Sequence, residues 1–398
     1  MPWDERSVMD ERVAFIVAWQ TGEGTVAELS RQFQISRKTA YKTIDRFEAM
    51  GWDGLQDLSR APHHHPNAVS AATMEAVLAV RQRHPTWGPK KIRAWLRGKH
   101  PDEPWPAQST IGAILDRCGL VKHRRRRVNV APAGGQLATI GGPNDVWAAD
   151  FKGWFRTGDG RRCEPFSLSD LASRYVLRLQ GLERIELERV WGLMDAAFRE
   201  FGLPTRLRSD NGPPFASTAP GGLSALAVRL IKAGVVPERI ARGRPQQNGR
   251  HERLHRTVKE DTATPPAVSL RQQQRRFDAF CRVFNEERPH EALGQTPPAA
   301  HYAASPRRYS GRLREPEYPS GYAVRRVHLR GEIKWGGERV FISEALIHEP
   351  LGLEPSDDGQ WRIHYGPILL GHLDERGKFA RFAAGTRPRR KAPLQPPG

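Results

Sequence analysis

Three carboxylates, each set in its own local context, constrain this chain more than any other feature. They are Asp150 in Trp147-Ala148-Ala149-Asp150-Phe151, Asp210 in Arg208-Ser209-Asp210-Asn211-Gly212, and Glu252 in Gln247-Asn248-Gly249-Arg250-His251-Glu252-Arg253. Trp147, Ala149 and Phe151 alternate with Ala148, Asp150 and Lys152, which predicts a period-two strand with the acid on one face. Asp210 closes the short apolar run around Leu207 and is followed by Asn-Gly, a turn signal, so it is expected at a strand end. Glu252 lies in a stretch from Gln246 to Lys259 that reads as helix. Acids at two strand ends and on a helix can converge on hard divalent cations. Mg²⁺ prefers oxygen ligands and is usually held by one or two carboxylates together with substrate phosphates. A pair of such ions, roughly 3.5–4 Å apart, activates a water or hydroxyl and stabilises the leaving oxygen.

What such a site would act on is suggested by charge. The chain of 398 residues carries Lys+Arg 63 against Asp+Glu 44, a formal +19. A surplus of that size implies a polyanionic partner, nucleic acid before an anionic membrane surface. No run of 18 apolar residues and no signal-peptide pattern is present, so a soluble, intracellular protein with no membrane partner is expected. Cys118, Cys163 and Cys281 form no C-x-x-C pair, which argues against a zinc ribbon or a disulfide framework. The length allows two to four domains.

The front of the chain reads as helix-turn-helix. Val13, Ile16 and Val17 make one apolar face, Thr25 opens a short helix with Ala27, Leu29 and Phe33, and Gln34-Ile35-Ser36 makes a tight turn. Ser36 is an N-cap for a helix over Arg37–Met50 with Ala40, Ile44 and Phe47 facing inward. Arg37, Lys38, Thr39, Tyr41 and Lys42 then sit at the start of a recognition helix, where bases and phosphates are met. The glycine common in such turns is Gln34 here. Residues 1–60 form this domain. His63-His64-His65 lacks ligand partners at metal spacing and reads as a solvated loop. A second helical unit, 67–130, comprises helices over Thr73–His84, Pro89–Gly98 and, capped by Ser109, up to Gly119. The run Arg124, Arg125, Arg126, Arg127 directly after it is expected to track DNA phosphates. Ala131–Pro143 is a linker.

In the region 144–302, strands are predicted around Phe166–Ser169 and Tyr175–Gln180 and an amphipathic helix over Ile185–Phe201, stopped by Gly202 and Pro204. A helix over Gly221–Ala233, a strand from Val235 to Ile240, and helices carrying Glu252 and spanning Ser269–Asn285 follow. This pattern gives a three-layer α/β core. Residues 286–319 are Pro-rich and read as a linker. From Tyr322 the alternation of Ile333-Lys334-Trp335, Arg339-Val340-Phe341 and Trp361, Ile363, Tyr365 around Gly336-Gly337 predicts a small β-barrel over 321–382. The tail 383–398, with Arg387–Lys391, is expected to be basic and disordered. No internal repeat is apparent.

The three acids and their surroundings resemble the DDE-type insertion-sequence transposases, whose catalytic core is similar to that of retroviral integrases. Ser209-Asp210-Asn211-Gly212 is similar to the family's second-aspartate motif. Pro245-Gln246-Gln247-Asn248-Gly249-Arg250-His251-Glu252 resembles its glutamate helix, and Asn285-Glu286-Glu287-Arg288-Pro289-His290-Glu291-Ala292-Leu293 looks like its closing motif. The chain has 41 residues between Asp210 and Glu252, more than is common in the family, and the predicted Gly221–Ala233 helix accounts for the excess. The zinc-binding His/His/Cys/Cys domain of retroviral integrases is absent, which points to the bacterial branch. The resemblance implies an RNase H-like core, Mg²⁺ or Mn²⁺ dependence with two ions, and homo-oligomeric work on double-stranded DNA, both element ends and target. It also implies a cytoplasmic, nucleoid-associated place in a bacterium.

In these terms Asp150, Asp210 and Glu252 are the catalytic metal ligands. Asn248, Arg256 and Lys259, at helical spacing from Glu252, are placed on its face, where similar integrases touch the DNA end. His251 and His255 could ligate metal or shuttle protons, but phosphate contact or simple exposure fits them better. Asn211 and Gly212 are expected to shape the loop beside Asp210. Two rivals stay open. A domesticated, inactive transposase would be a DNA-binding regulator. A hybrid-specific ribonuclease would use a further core carboxylate such as Glu183, Glu186 or Glu188, though two DNA-binding front units argue against it.

Overall fold

The computed structural model describes residues 7–57, 68–121, 137–151, 153–241, 245–356, 359–374 and 377–381. His63–His65, the arginines Arg124–Arg127 and the basic tail with Arg387–Lys391 lie outside the described residues. The chain divides into two compact units, Met1–Ala68 and Val69–Gly398.

In the first unit, α1 (Val8–Gln20), α2 (Val26–Gln32) and α3 (Arg37–Met50) surround Phe15, Ile16, Leu29, Ala40, Ile44 and Leu55. Each start is capped by its own sequence. Ser7 and Asp10 form a capping box, as do Thr25 and Glu28, and the Ser36 hydroxyl accepts from the Thr39 N–H. Such a cap contributes about 1 kcal/mol. Gln34 takes the left-handed conformation at φ 52°, so the turn closes without the glycine usual there. A non-glycine residue in that conformation costs roughly 1–2 kcal/mol, and the Ile35 N–H to Ser30 carbonyl bond of 2.9 Å helps hold it.

The second unit begins with α4 (Ala71–Arg83), α5 (Pro89–Lys99) and α6 (Gln108–Arg117), packed on Val77, Trp87, Ile92, Leu96, Ile111 and Leu115. Pro89 stands at the first turn of α5, as its fixed φ favours. The cap expected at Ser109 does not form. The cap position lies two residues earlier, at Ala107, with no side-chain cap, and Ser109 lies inside the first turn of the helix.

The core sheet contains β1 (Val146–Phe151), β2 (Phe155–Arg156), β3 (Arg162–Asp170), β4 (Val176–Leu182), β5 (Arg206–Ser209) and β6 (Val236–Arg239). Their order is β2-β3-β1-β5-β6, with β4 on the other side of β3. β1 and β4 are antiparallel to β3, whereas β1, β5 and β6 run parallel. Both faces are covered, which is why β1 is apolar on both sides up to Ala149. On one face α7 (Leu187–Phe201) and α8 (Ala225–Lys232) enclose Trp147, Ala149, Phe166, Met194, Phe198 and Leu207. On the other, α9 (Gly249–Thr262) and α10 (Leu270–Arg282) meet Cys163, Val176 and Leu179 through Leu254, Val258 and Phe277.

Asn144, at φ 65° and 8% exposed, knots this core together. Its N–H donates to Asp170, its Nδ2 to the Ala303 carbonyl, and its Oδ1 accepts from Trp147 Nε1 and Tyr302 Oη. Its carbonyl accepts from the Thr205 N–H ahead of β5.

Residues 286–319 are not a free linker. The Ser305 N–H donates to the Phe201 carbonyl at 2.7 Å and the Arg314 N–H to that of Lys232 at 2.9 Å. Arg307 donates to the carbonyls of Pro204 and Gly234, both at 2.6 Å, and Tyr302 stacks on Tyr175 at 4.4 Å. The segment is a strap along the core.

Beyond it lie β7 (Ala323–Arg326), β8 (Glu332–Trp335), β9 (Glu338–Phe341), β10 (Pro350–Pro355), β11 (Trp361–Tyr365), β12 (Ile368–Leu373) and β13 (Phe379–Arg381). The closed barrel expected from the alternation is not observed. Five strands form an open sheet, β13-β12-β11-β10-β7, and β8 and β9 pair with each other. Closure requires the end strands to meet with a matched tilt and stagger; here an outside helix completes the core instead. Ala227, Val228 and Ile231 of α8 pack with Leu351, Leu353, Ile363 and Leu370, while Leu226 and Leu230 of the same helix face the core sheet. Lys232 Nζ and Glu349 Oε1, 2.7 Å apart, pin the junction. Among the described residues no helix is long and apolar enough to cross a membrane.

Candidate functional site

Asp150 stands near the end of β1, on the face opposite Trp147 and Ala149, and its Oδ1 accepts from the Phe151 N–H at 2.8 Å. Asp210 follows β5 immediately. The parallel register pairs Val146 with Arg206, Trp147 with Leu207 and Ala148 with Arg208. Two residues further along each strand come Asp150 and Asp210, so the two carboxylates leave neighbouring strands at the same level. Asn211 and Gly212 do shape the adjoining loop. Asn211 Nδ2 donates to the Ile240 carbonyl at 2.8 Å, tying the loop to the end of β6. The Gly212 N–H donates to Asp210 Oδ1 at 3.1 Å, and a Cβ at position 212 would come within 3.0 Å of Oδ2. Glycine there permits the close approach of backbone to carboxylate.

α9 reaches the sheet through polar groups. His251 and His255 are 1% and 3% exposed, which corrects the expectation that they are solvent-facing. Ser167, the partner of Asp150 in the β1–β3 register, hydrogen-bonds through Oγ to His251 Nε2 at 2.7 Å and His255 Nε2 at 2.6 Å. Its hydroxyl also reaches the Asp150 carbonyl at 3.2 Å, and Ser169 Oγ meets His251 Nδ1 at 3.1 Å. His255 Nδ1 lies 3.7 Å from Asp150 Oδ2. Burial pushes His251 down to about 3, so it stays neutral at physiological pH. Buried polar groups that satisfy one another fix a single arrangement. The chain Asp150–His255–Ser167–His251–Ser169 therefore sets where α9 sits relative to β1.

Glu252, Arg256 and Lys259 are exposed on α9. Asn248 is not exposed with them. It is the N-cap residue, 5% exposed, and its Oδ1 finds no partner among the described residues. Among the described residues the group of metal-capable side chains that converges is Asp150, His251 and His255, all ligand atoms within 4.8 Å; Asp210 and Glu252 are outside it. Arg37, Lys38, Thr39, Tyr41 and Lys42 are all exposed at the start of α3, free of the burial that holds Ala40 and Ile44. In the closing motif, Asn285 accepts from the Val176 N–H at 2.8 Å and donates to its carbonyl at 2.9 Å, locking β4.

The sequence reading passed over Ser167, Ser169 and the anchoring role of the two histidines. A signal for it existed: His251 and His255 share helical spacing with Leu254 and Val258, the core-facing positions of α9.

Comparison with known proteins assigns families to these regions. Residues 141–245 and 233–298 match integrase core domain families, residues 11–63 a helix-turn-helix domain and residues 39–115 a homeodomain-like domain. The uncharacterized 31.7 kDa protein of insertion element IS407 from Burkholderia multivorans is 28% identical over 62% of this chain and 87% of its own length. The uncharacterized 39.2 kDa protein of insertion element IS476 from Xanthomonas euvesicatoria is 26% identical over 76% of this chain and 85% of its own. The chain is an insertion-sequence transposase relative with an integrase-like core. Two solved structures resemble it more distantly. The HTLV-2 integrase catalytic core domain in complex with magnesium is 16% identical, covering 40% of this chain and 98% of its own at a TM-score of 0.32. A simian T-cell lymphotropic virus intasome chain is 14% identical, covering 74% and 97% at a TM-score of 0.35. The helix-turn-helix modules mark the transposase relative as a DNA-binding protein, and its acid and histidine cluster is one that could hold a divalent metal.

Proposed function

We propose that the chain is a transposase that binds the terminal inverted repeats of its element and catalyses metal-dependent DNA cleavage and strand transfer, as a homo-oligomer joining element ends to target DNA. Residues 1–60 and 67–130 serve as DNA-binding units, 144–302 as the catalytic core, and 321–382 with the tail 383–398 as an accessory domain. The supporting observation is the β1–β5 register, which brings Asp150 and Asp210 to one level beside a helix that carries Glu252 and is anchored by polar contacts one strand away.

The donor chemistry favours Asp150, Asp210 and Glu252 as ligands over the convergent histidines. Both Nε2 atoms are engaged by Ser167, and His251 Nδ1 by Ser169, so those imidazoles hold position. His255 Nδ1 faces Asp150 Oδ2 at 3.7 Å, and the other donors are carboxylate oxygens, which suit Mg²⁺ or Mn²⁺ and a site for two ions. Such ions supply an activated hydroxyl and neutralise the leaving oxygen. The protein's own part is to hold Asp150 through His255 and the Phe151 N–H, to keep Asp210 against the Gly212 backbone, and to offer Arg256 and Lys259 to the DNA end beside Glu252. Arg37, Lys38 and Tyr41 read the repeat, with Thr39 and Lys42 beside them; a bidentate base contact is worth ~1–3 kcal/mol.

The test is joining of a precut element end to plasmid DNA by the full chain. Joining that requires Mg²⁺ or Mn²⁺ and vanishes in Asp210→Asn, with end binding intact, is expected. Tight end binding by wild type without metal-dependent joining would replace this reading with that of a DNA-binding regulator.

A further inference from the structure

A cavity of about 450 Å³ lies on the far side of α9 from Glu252. α9 contributes Arg250, Arg253 and Thr257 to its wall, whereas Glu252, Arg256 and Lys259 project from a different face of the helix, as the 3.6-residue period requires. The start of α5 supplies Lys90 and Lys91, the turn after β3 supplies Arg174, and the closing motif supplies Arg288 and His290. The second helical unit and the catalytic core thus share this cavity.

Its charge is one-sided. Of the acids on the wall, Asp170 is already taken by the N–H groups of Asn144 and Ser173 and the Ser173 hydroxyl, and Glu291 lies 2.8 Å from Lys90 Nζ. Arg288 faces Asp261 at 3.5 Å. Lys91 makes no ion pair among the described residues, and Arg174 Nη1 and His290 Nε2 are buried without a hydrogen-bond partner among them. Arg174 is moreover held at φ 67°, a left-handed backbone that a non-glycine residue adopts at a cost. Burial and the neighbouring guanidinium of Arg288 push the Lys91 ammonium down to about 8, and burial with Arg250 and Arg253 pushes Arg174 down to about 10. Lys91 and Arg174, two desolvated cations with open donors, lack an anion, and the unpartnered Nε2 of the neutral His290 ring stands beside them.

We propose that this cavity is a phosphate-binding site for the DNA backbone, in which Lys91, Arg174 and His290 hold a phosphodiester of a duplex lying between the second helical unit and the core. The inference rests on the transposase reading for its choice of DNA, but it concerns a site separate from the three carboxylates. A duplex seated here is gripped by the core and by α5 at once, which fixes its approach to α9.

The experiment labels the wild-type full chain with an amine-acylating reagent near pH 8 and reads Lys91 by mass spectrometry. The three arms hold no addition, a blunt duplex of arbitrary sequence, or inorganic phosphate at matched ionic strength. Loss of Lys91 labelling with duplex but not with phosphate is expected. In parallel, Lys91→Gln and Arg174→Gln should each lower the slope of log affinity for that duplex against log salt by ~0.9. Duplex bound, as seen by gel shift, with Lys91 labelled as before and slopes unchanged would overturn the site while leaving the transposase reading intact. Protection by inorganic phosphate equal to that by duplex would make the occupant a free anion and also overturn it. Failure of the wild type to bind duplex at low salt would remove both readings together.

Discussion

α8 and α9 cover opposite faces of one sheet and do so with opposite chemistry. α8 buries Leu226, Ala227, Val228, Leu230 and Ile231, and its contacts are apolar on two sides. α9 buries His251, His255 and Thr262 beside Leu254 and Val258, and hydrogen bonds decide its seating. Apolar burial is non-directional and scales with area, so α8 supplies stability and tolerates small displacements. Hydrogen bonds are directional and are lost when misaligned, so α9 supplies position at the carboxylates.

The largest test of this contrast is at the exposed edge of α9. Glu252→Gln keeps size and removes one charge, and should abolish strand transfer while leaving the melting temperature and end binding unchanged; wild-type joining by this variant would remove Glu252 from the site. Next comes α8. Leu230→Ala should cost about 2–5 kcal/mol of stability, as for other buried leucines, with the joining rate per folded molecule preserved. A stable but inactive Leu230→Ala would mean that α8 also positions the site. His255→Gln probes the anchoring directly. Groups that orient ligands typically change metal affinity or activity by ~10–100-fold, and isothermal titration with Mn²⁺ should show weakened binding with little loss of stability. The reverse pattern would make His255 simply a core residue.

The smallest effect concerns acid. His290 packs on Phe284, on the α9 side of the sheet, and burial with Arg288 and Lys91 pushes it down to about 3 from 6.5. The folded chain therefore binds fewer protons than the unfolded chain between those values. Stability contributed by the neutral ring is whole above pH 6.5 and is lost as the pH falls toward 3. Urea midpoints measured at pH 7 and pH 5 should fall, and His290→Gln should reduce the fall; an unaltered difference would assign the acid sensitivity to other buried imidazoles.

Much of the fold was legible because it is written locally. Ser36, Thr25 and Pro89 mark helix starts by satisfying or lacking particular N–H groups, and Asp150 alternates with Trp147 and Ala149 whatever its neighbours do. What failed depended on partners distant in the chain. The alternation of Ile363 and Tyr365 is the same in an open sheet as in a barrel, and it took α8, more than a hundred residues earlier, to decide between them. The prolines of 286–319 describe an extended backbone but not the carbonyls of Phe201, Pro204 and Lys232 that bind it down. At the site, the acids stood out by motif. The histidines were misplaced because imidazole polarity suggests water, and only the facing hydroxyls of Ser167 and Ser169 make their burial tolerable.

Asn144 carries a consequence for how such a chain can be assembled. Through it the first residues of the core and those near Tyr302 and Ala303 meet at one corner. A segment whose entrance and exit coincide is a loop closed by its own knot, and compact units of that kind accept insertion and exchange. Downstream of this corner the strap and the sheet on α8 belong to the same interior, so exchange is confined to what precedes Asn144. A chain in which other units stand ahead of this corner should keep the same spacing between its two aspartates.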